Sequence, residues 1–290
     1  MHIDALSNAF IFLDMNKFFI IFSLFISFFV FNNIFGAETR FAVYYSDKLP
    51  FTDFQKYSVI VFDSDYHPQI KGLVGEQKTV LGYLSVGEME KYRWYFPKFK
   101  DSGLLLNQDD NWEGSYAVDI RNKKWVEFLI YTEIPKILHS GFNGIFIDTM
   151  DTSISLEENN PIKYKGMTEA AINIVKSIHH NYPSLKIMMN RGYKILPSVA
   201  NDINMELGEG VYSDYNFKTK KYELVPKEDY LEQVKILKNA KKLNPNLEIF
   251  TLDYCDPSDK KMIKEIYKVE RSNEFVPYVS TIDLDKLTNE

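Results

Sequence analysis

The sequence predicts an α/β fold, a (β/α)8 TIM-like barrel. It forms a single domain over residues 38–290, behind an N-terminal signal or anchor segment at 1–37. Three observations predict it. Short apolar runs alternate with stretches of helical periodicity, as in a parallel sheet covered on both faces. These runs number eight, with no separate second domain between them. The chain beyond residue 37 is also close to the roughly 250 residues that such a barrel takes.

The elements run in order. Residues 18–31 (FFIIFSLFISFFVF) carry no charge and come after Lys17, with the small pair Gly36-Ala37 beyond. The run is shorter than the roughly 20 residues of a spanning helix. It reads as a secretory signal, or an uncleaved anchor, and Met15 offers a cleaner start than Met1. The strands expected next are Phe41–Tyr45, Val59–Phe62, Val80–Ser85, Gly144–Ile147, Ile187–Met189, Ile203–Gly208, Ile249–Leu252 and Val276–Val279. Helices are expected over Lys124–His139, Met167–Asn181, Lys227–Leu243 and Ser258–Asn273. Pro183, Pro245 and Pro277 stand just after three of them, where chain breakers belong. One segment breaks the rhythm. Val86 to Asn122 is long and aromatic, with Tyr92, Arg93, Trp94, Tyr95, Phe96, Trp112 and Tyr116. Coming after a barrel strand, it would lie over the C-terminal face, as a sugar-stacking surface or as a local aromatic core.

Composition removes several function classes. The formal charge is −6 with no basic run, so nucleic acid is not an expected partner. Cys255 is the only cysteine, which excludes an intramolecular disulfide and a cysteine-rich zinc site. No two of the five histidines form an H-x-x-x-H pair, and P-loop, GxSxG and GxGxxG motifs are absent. No cofactor and no metal are expected.

The residues just past each strand carry the chemistry. The second run ends in Asp63-Ser64-Asp65, the third in Ser85-Val86-Gly87-Glu88 and the fourth in Asp148-Thr149-Met150-Asp151. The fifth ends in Asn190-Arg191, the sixth in Glu209 and the seventh in Asp253. In a barrel these side chains share one rim. Converging carboxylates repel one another and raise at least one pKa, which sets an acid beside a base. Glycoside hydrolysis needs that pair. Asp148 and Glu209 each directly end an apolar run, so a helix-capping role accounts for them least. A strand-end Asp can instead cap the next helix, a reading that weighs most on Asp63, Asp65 and Asp151.

The strings GYLSVGEMEKYRWYF (82–96), NWEGSYAVDI (111–120), GFNGIFIDTMDT (141–152), MNRGYKIL (189–196) and LGEGVYSDYNF (207–217) resemble the glycoside hydrolase family 114 type. That family includes endo-α-1,4-polygalactosaminidases, and the likeness covers nearly all of 41–290. The resemblance implies a β/α barrel, export and metal-free hydrolysis of an amino-sugar polysaccharide. It implies Asp148 and Glu209 as the catalytic pair, with Glu206 in place of Glu209 if the sixth strand ends sooner, and it marks Glu88 and Arg93 as site residues. The substrate-binding set expected around the pair is Asp63, Asp65, Glu88, Arg93, Trp94, Trp112, Asp151, Asn190, Arg191 and Asp253. Glu209 is expected as proton donor and Asp148 as nucleophile or charge stabiliser. Two rivals remain: a non-catalytic carbohydrate-binding barrel, and a glycosyltransferase suggested by Asp63-Ser64-Asp65.

Overall fold

The computed structural model describes residues 39–290, so the expected signal segment lies outside the described residues. The described residues form thirteen strands. They are β1 (Phe41–Tyr44), β2 (Val59–Phe62), β3 (Thr79–Ser85), β4 (Glu88–Glu90), β5 (Leu105–Gln108), β6 (Ser115–Val118), β7 (Gly144–Asp148), β8 (Lys186–Asn190), β9 (Met205–Glu209), β10 (Ser213–Asn216), β11 (Lys221–Leu224), β12 (Glu248–Tyr254) and β13 (Val276–Ser280). Eight of them form one sheet in the order β1-β2-β3-β7-β8-β9-β12-β13, with every neighbouring pair parallel. These are the eight predicted runs in chain order. The sheet curls into a nearly closed barrel. At its seam the Phe41 ring of β1 lies 6.1 Å from Tyr278 of β13. The Tyr45 N–H also donates to the Leu284 carbonyl at 2.8 Å.

Apolar burial explains why the runs become strands. Phe41, Val43, Leu81, Phe146, Leu207, Phe250 and Tyr278 are all nearly inaccessible to solvent. Tight backbone approach fixes Gly144 at the start of β7. A Cβ there would sit 2.5 Å from the Lys186 carbonyl oxygen of β8.

The predicted helices Met167–Asn181 and Lys227–Leu243 form with those bounds, and the last becomes Lys260–Ser272, capped by Asp259 on the Met262 N–H at 2.9 Å. The helix from Lys123 to His139 is interrupted by a π turn over Leu129–Glu133. Pro135, which has no N–H to donate, lies two residues beyond it, and a wider turn is how a helix accommodates it. The helix Met150–Asn159 is not among those expected. Its residues alternate polar and apolar too irregularly to show a stripe.

The aromatic segment 86–122 folds as an antiparallel sheet, β4-β6-β5, with a short helix over Phe96–Phe99. Tyr95, Phe99, Trp125 and Phe128 pack with ring centroids 5.0 to 5.9 Å apart, and the Trp125 indole donates to the Val86 carbonyl at 2.9 Å. This half of the segment is a small core against the helix at 123–139.

On the outer side of the barrel, Glu206 on β9, Asp253 on β12 and Glu270 on the last helix are fully buried. Neither oxygen of Glu206 or of Glu270 has a hydrogen-bond partner. Burial, then the Asp253 charge, pushes Glu270 up to about 9. A carboxyl whose folded pKa is raised keeps its full contribution below the unfolded value. That contribution is lost as pH rises towards the folded value. Glu270→Gln is therefore expected to flatten the fall in stability between about pH 5 and 9. At pH 7 it should gain up to about 3 kcal/mol, with no gain at pH 4. Urea denaturation at the two pH values measures it; equal shifts at both would contradict a buried neutral carboxyl.

Candidate active site

The C-terminal ends of the barrel strands carry a layer of polar side chains. Asp148 ends β7, Asn190 ends β8 and Glu209 ends β9, and alternation along each strand turns all three inward. One nitrogen joins them. Asn190 Nδ2 donates to Asp148 Oδ1 at 2.9 Å and to Glu209 Oε2 at 2.5 Å. Those two oxygens are thus no further apart than the two bonds laid end to end. That limit lies within the roughly 5–5.5 Å spacing of a retaining glycosidase pair and below the 6.5–9.5 Å of an inverting one.

Each carboxylate has further donors. Asp148 Oδ1 takes the Thr149 N–H at 2.7 Å, and the Tyr83 hydroxyl bonds to the same carboxyl. Glu209 Oε1 takes a short hydrogen bond from the Tyr254 hydroxyl. Burial pushes Tyr45, Tyr83 and Tyr254 well above the ordinary phenol range, with the neighbouring carboxylates adding to it. They stay neutral. Burial and then the Glu209 charge push Asp148 up to about 7. The pair therefore holds one proton near neutrality and loses it above about pH 7. If that proton is needed for turnover, kcat/KM should fall about tenfold per pH unit on the alkaline side. A profile flat from pH 6 to 9.5 would remove the pair from the chemistry.

The other predicted residues divide into two groups. At the mouth, Arg191 pairs with Asp151 at 3.0 Å, and the Gly192 N–H donates to Asp151 at 3.1 Å. Both side chains are partly exposed, and Arg191 feels the Glu209 charge. Trp112 is half exposed, its ring 5.3 Å from Phe217, so the aromatic sheet meets the β10–β11 hairpin there. Asp214 of that hairpin stands near Glu209, whose charge helps raise its pKa after burial. Asp151, Arg191 and Trp112 remain available to a ligand, while the buried Asn190 below them gives its amide nitrogen to the carboxylate pair.

The second group is spent on the protein itself, contrary to expectation. Arg93 is 3 % exposed and makes four hydrogen bonds, to Asp63, Asp65 and Glu90, at 3.2 to 3.3 Å, with a further ion-pair contact to Asp63 at 2.9 Å. Three carboxylates thus engage this buried guanidinium. Asp63 also takes the Asp65 and Tyr66 N–H groups, and Asp65 takes Lys136 at 2.5 Å. This engagement removes the Asp-x-Asp pattern that suggested a glycosyltransferase. Glu88 accepts the Ser115 and Thr152 hydroxyls, each at 2.5 Å, and so ties the aromatic sheet to the helix at 150–159. Trp94 lies against Tyr95 and Phe128 and donates to Glu133 at 3.1 Å, on the outer helix, although its ring is about as exposed as that of Trp112. Asp253 points outward, accepting the Tyr212 and Ser213 N–H groups at 2.7 and 2.9 Å. Glu206 points outward too, because β9 runs on to Glu209.

Tyr45, Tyr83, Tyr254 and Asp214 escape the sequence reading. For the tyrosines the period of two is the available signal, since Tyr83 precedes inward Ser85 by two residues and Tyr254 lies two beyond Leu252. Among the described residues, no cluster of three or more His, Cys, Asp or Glu is arranged to hold a metal, and no helix is long and apolar enough to cross a membrane.

A β/α barrel carrying facing carboxyls at the C-terminal ends of its strands has the build of a glycoside hydrolase. Residues 32–289 match glycoside-hydrolase family GH114, and the chain belongs to that family. It is similar to the glycoside hydrolase domain of PelA from Pseudomonas aeruginosa. That likeness has 25% identity and a TM-score of 0.74, and covers 86% of this chain and 96% of that one. Ega3 of Aspergillus fumigatus, solved in complex with galactosamine, shares the fold at 16% identity and a TM-score of 0.65, over 86% and 93% of the two chains. An uncharacterized protein of Thermotoga maritima is 24% identical over 238 residues, 76% of this chain and 71% of the relative.

Proposed function

We propose that this protein is an exported hydrolase of an amino-sugar polysaccharide containing galactosamine, working by a retaining mechanism on Asp148 and Glu209. The observation that carries the reading is the single Asn190 nitrogen shared by both carboxylates. In the reactive form the proton rests on Glu209. Its transfer from Asp148 removes the Glu209 charge that raised Asp148. The Asn190, Thr149 and Tyr83 donors then favour an Asp148 carboxylate. Asp148 attacks the anomeric carbon as Glu209 protonates the departing glycosidic oxygen, giving a glycosyl ester on Asp148. Glu209 then removes a proton from water, the water oxygen displaces Asp148, and both carboxyls return to their starting states.

The amino-sugar part is supported by the acidic charge of the chain and by Asp151 and Asp214 at the mouth, which suit a cationic polymer. Export rests on Lys17 and the apolar run 18–31. The test is purified protein incubated with α-1,4-linked galactosamine polymer and a chelator. The expected result is release of reducing ends, with the first product in the substrate's own anomeric form by NMR. Binding without release would favour a carbohydrate-binding barrel, and an inverted first product would refute the retaining mechanism.

A further inference from the structure

The residue after Asp148 is under strain. Thr149 has φ 66° and ψ 17°, in the left-handed region, where a β-branched side chain is an outlier. Such a conformation persists only where its surroundings enforce it, and it clusters at functional sites. Here the enforcing contacts are visible. Thr149 Oγ1 accepts the backbone N–H groups of Val86, Gly87 and Glu88 at 3.2, 2.8 and 3.1 Å. Its hydroxyl donates to the Asp148 carbonyl at 2.6 Å. Successive N–H groups converging on one oxygen form a concavity of the kind that binds anions. In this protein a neutral side chain of the chain itself fills it. The approach is close enough to demand glycine at 87, where a Cβ would sit 2.0 Å from the Thr149 carbonyl oxygen.

Resting on the catalytic reading above, we propose that Thr149 is a positioning residue for Asp148. Its hydroxyl, seated in the N–H groups of residues 86–88, holds the strained turn that aims the Thr149 N–H at the Asp148 carboxylate. This links the two motifs Ser85-Val86-Gly87-Glu88 and Asp148-Thr149 into one device, formed where β3 and β7 lie side by side. Valine has the shape of threonine without the hydroxyl. In its place the Gly87 and Glu88 N–H groups lose their acceptor, and the hydroxyl no longer opposes relaxation of the turn to negative φ. The N–H at 149 then swings off the carboxylate. Asp148 loses a donor that favours its ionised form and becomes harder to ionise.

The test uses the full chain and the galactosamine polymer, with kcat and KM measured across pH. Thr149→Val is expected to lower kcat about 100-fold, the cost of a misplaced reacting group, with KM within a few-fold of wild type. The acidic limb of its kcat profile should move to higher pH. Thr149→Ser, which keeps the hydroxyl, should restore both. Gly87→Ala displaces the same turn from the other side, and it should reproduce the valine signature if the valine variant folds poorly. Wild-type kcat and pH profile in Thr149→Val or Gly87→Ala, or an equal loss in Thr149→Ser, overturns the proposal. Asp148→Asn is run beside them. If it turns over normally, the catalytic reading has failed; if it is inactive while Thr149→Val is normal, only the positioning role has failed.

Discussion

Asp148→Asn and Glu209→Gln are each expected to abolish most turnover while polymer binding and melting temperature stay near those of the wild type. For Glu209→Gln the loss should be roughly 10²–10⁴-fold, the usual worth of a positioned general acid. For Asp148→Asn it should be at least as large, because no covalent intermediate can form on an amide. The amides keep the shape of the site. One of the two carboxyls already carries the shared proton near neutrality, so an amide in place of either leaves Asn190 Nδ2 facing one neutral and one charged partner, and folding is not expected to suffer. Azide separates the roles. A small anion can replace a missing nucleophile or intercept the glycosyl-enzyme when the acid/base is missing. Asp148→Gly with azide should give a glycosyl azide of inverted configuration, and Glu209→Ala one of retained configuration. Swapped products would exchange the roles, and wild-type rates in both amide variants would remove the pair altogether.

Arg93→Met is expected to destabilise the fold by about 3–5 kcal/mol, the cost of removing one partner from a buried ion cluster. The volume is nearly conserved, so the loss would be electrostatic. Burial by itself would pull the guanidinium's pKa down, but Glu90 and Asp63 hold it above its ordinary value. Without the guanidinium, Asp63 and Glu90 are left with charges that burial makes costly, whereas Asp65 keeps Lys136. The rings of Tyr83 and Tyr92, 5.0 and 4.9 Å from the guanidinium, lose their cation as well. Chemical denaturation at pH 7 measures the effect, and a change under about 1 kcal/mol would show that the cluster is solvated. A large loss of polymer affinity with unchanged stability would return Arg93 to the substrate contacts first expected.

These two sites differ in how far the sequence revealed them. Asp148, Asn190 and Glu209 were legible because each ends a short apolar run, and a polar residue there in a parallel barrel sits at the C-terminal mouth. Eight strands and three of the long helices were legible for a related reason: the period of a side-chain pattern is a local property, written in consecutive residues. Asp253 looked equivalent to Glu209 and is not. The strand β12 continues to Tyr254, and with a period of two the extra residues turn Asp253 outward and Tyr254 inward. Parity at a strand end depends on where pairing stops, and the partner strand β13 decides that through the match of Tyr254 with Ser280.

Sequence by itself determined the barrel, its strand order and the residues that bring carboxylates to one rim. Tertiary structure decided which carboxylates are free to act. Nothing near Asp65 announces Lys136, which lies 71 residues away and reaches it from the helix at 123–139. Nor does anything near Thr149 announce the three N–H groups, 61 to 63 residues earlier, that receive its hydroxyl. A carboxylate buried with a guanidinium is held by that charge, and one beside a second carboxylate is driven to share a proton. The residue type is the same in both cases. The difference lies in the partner, which packing supplies across long stretches of chain.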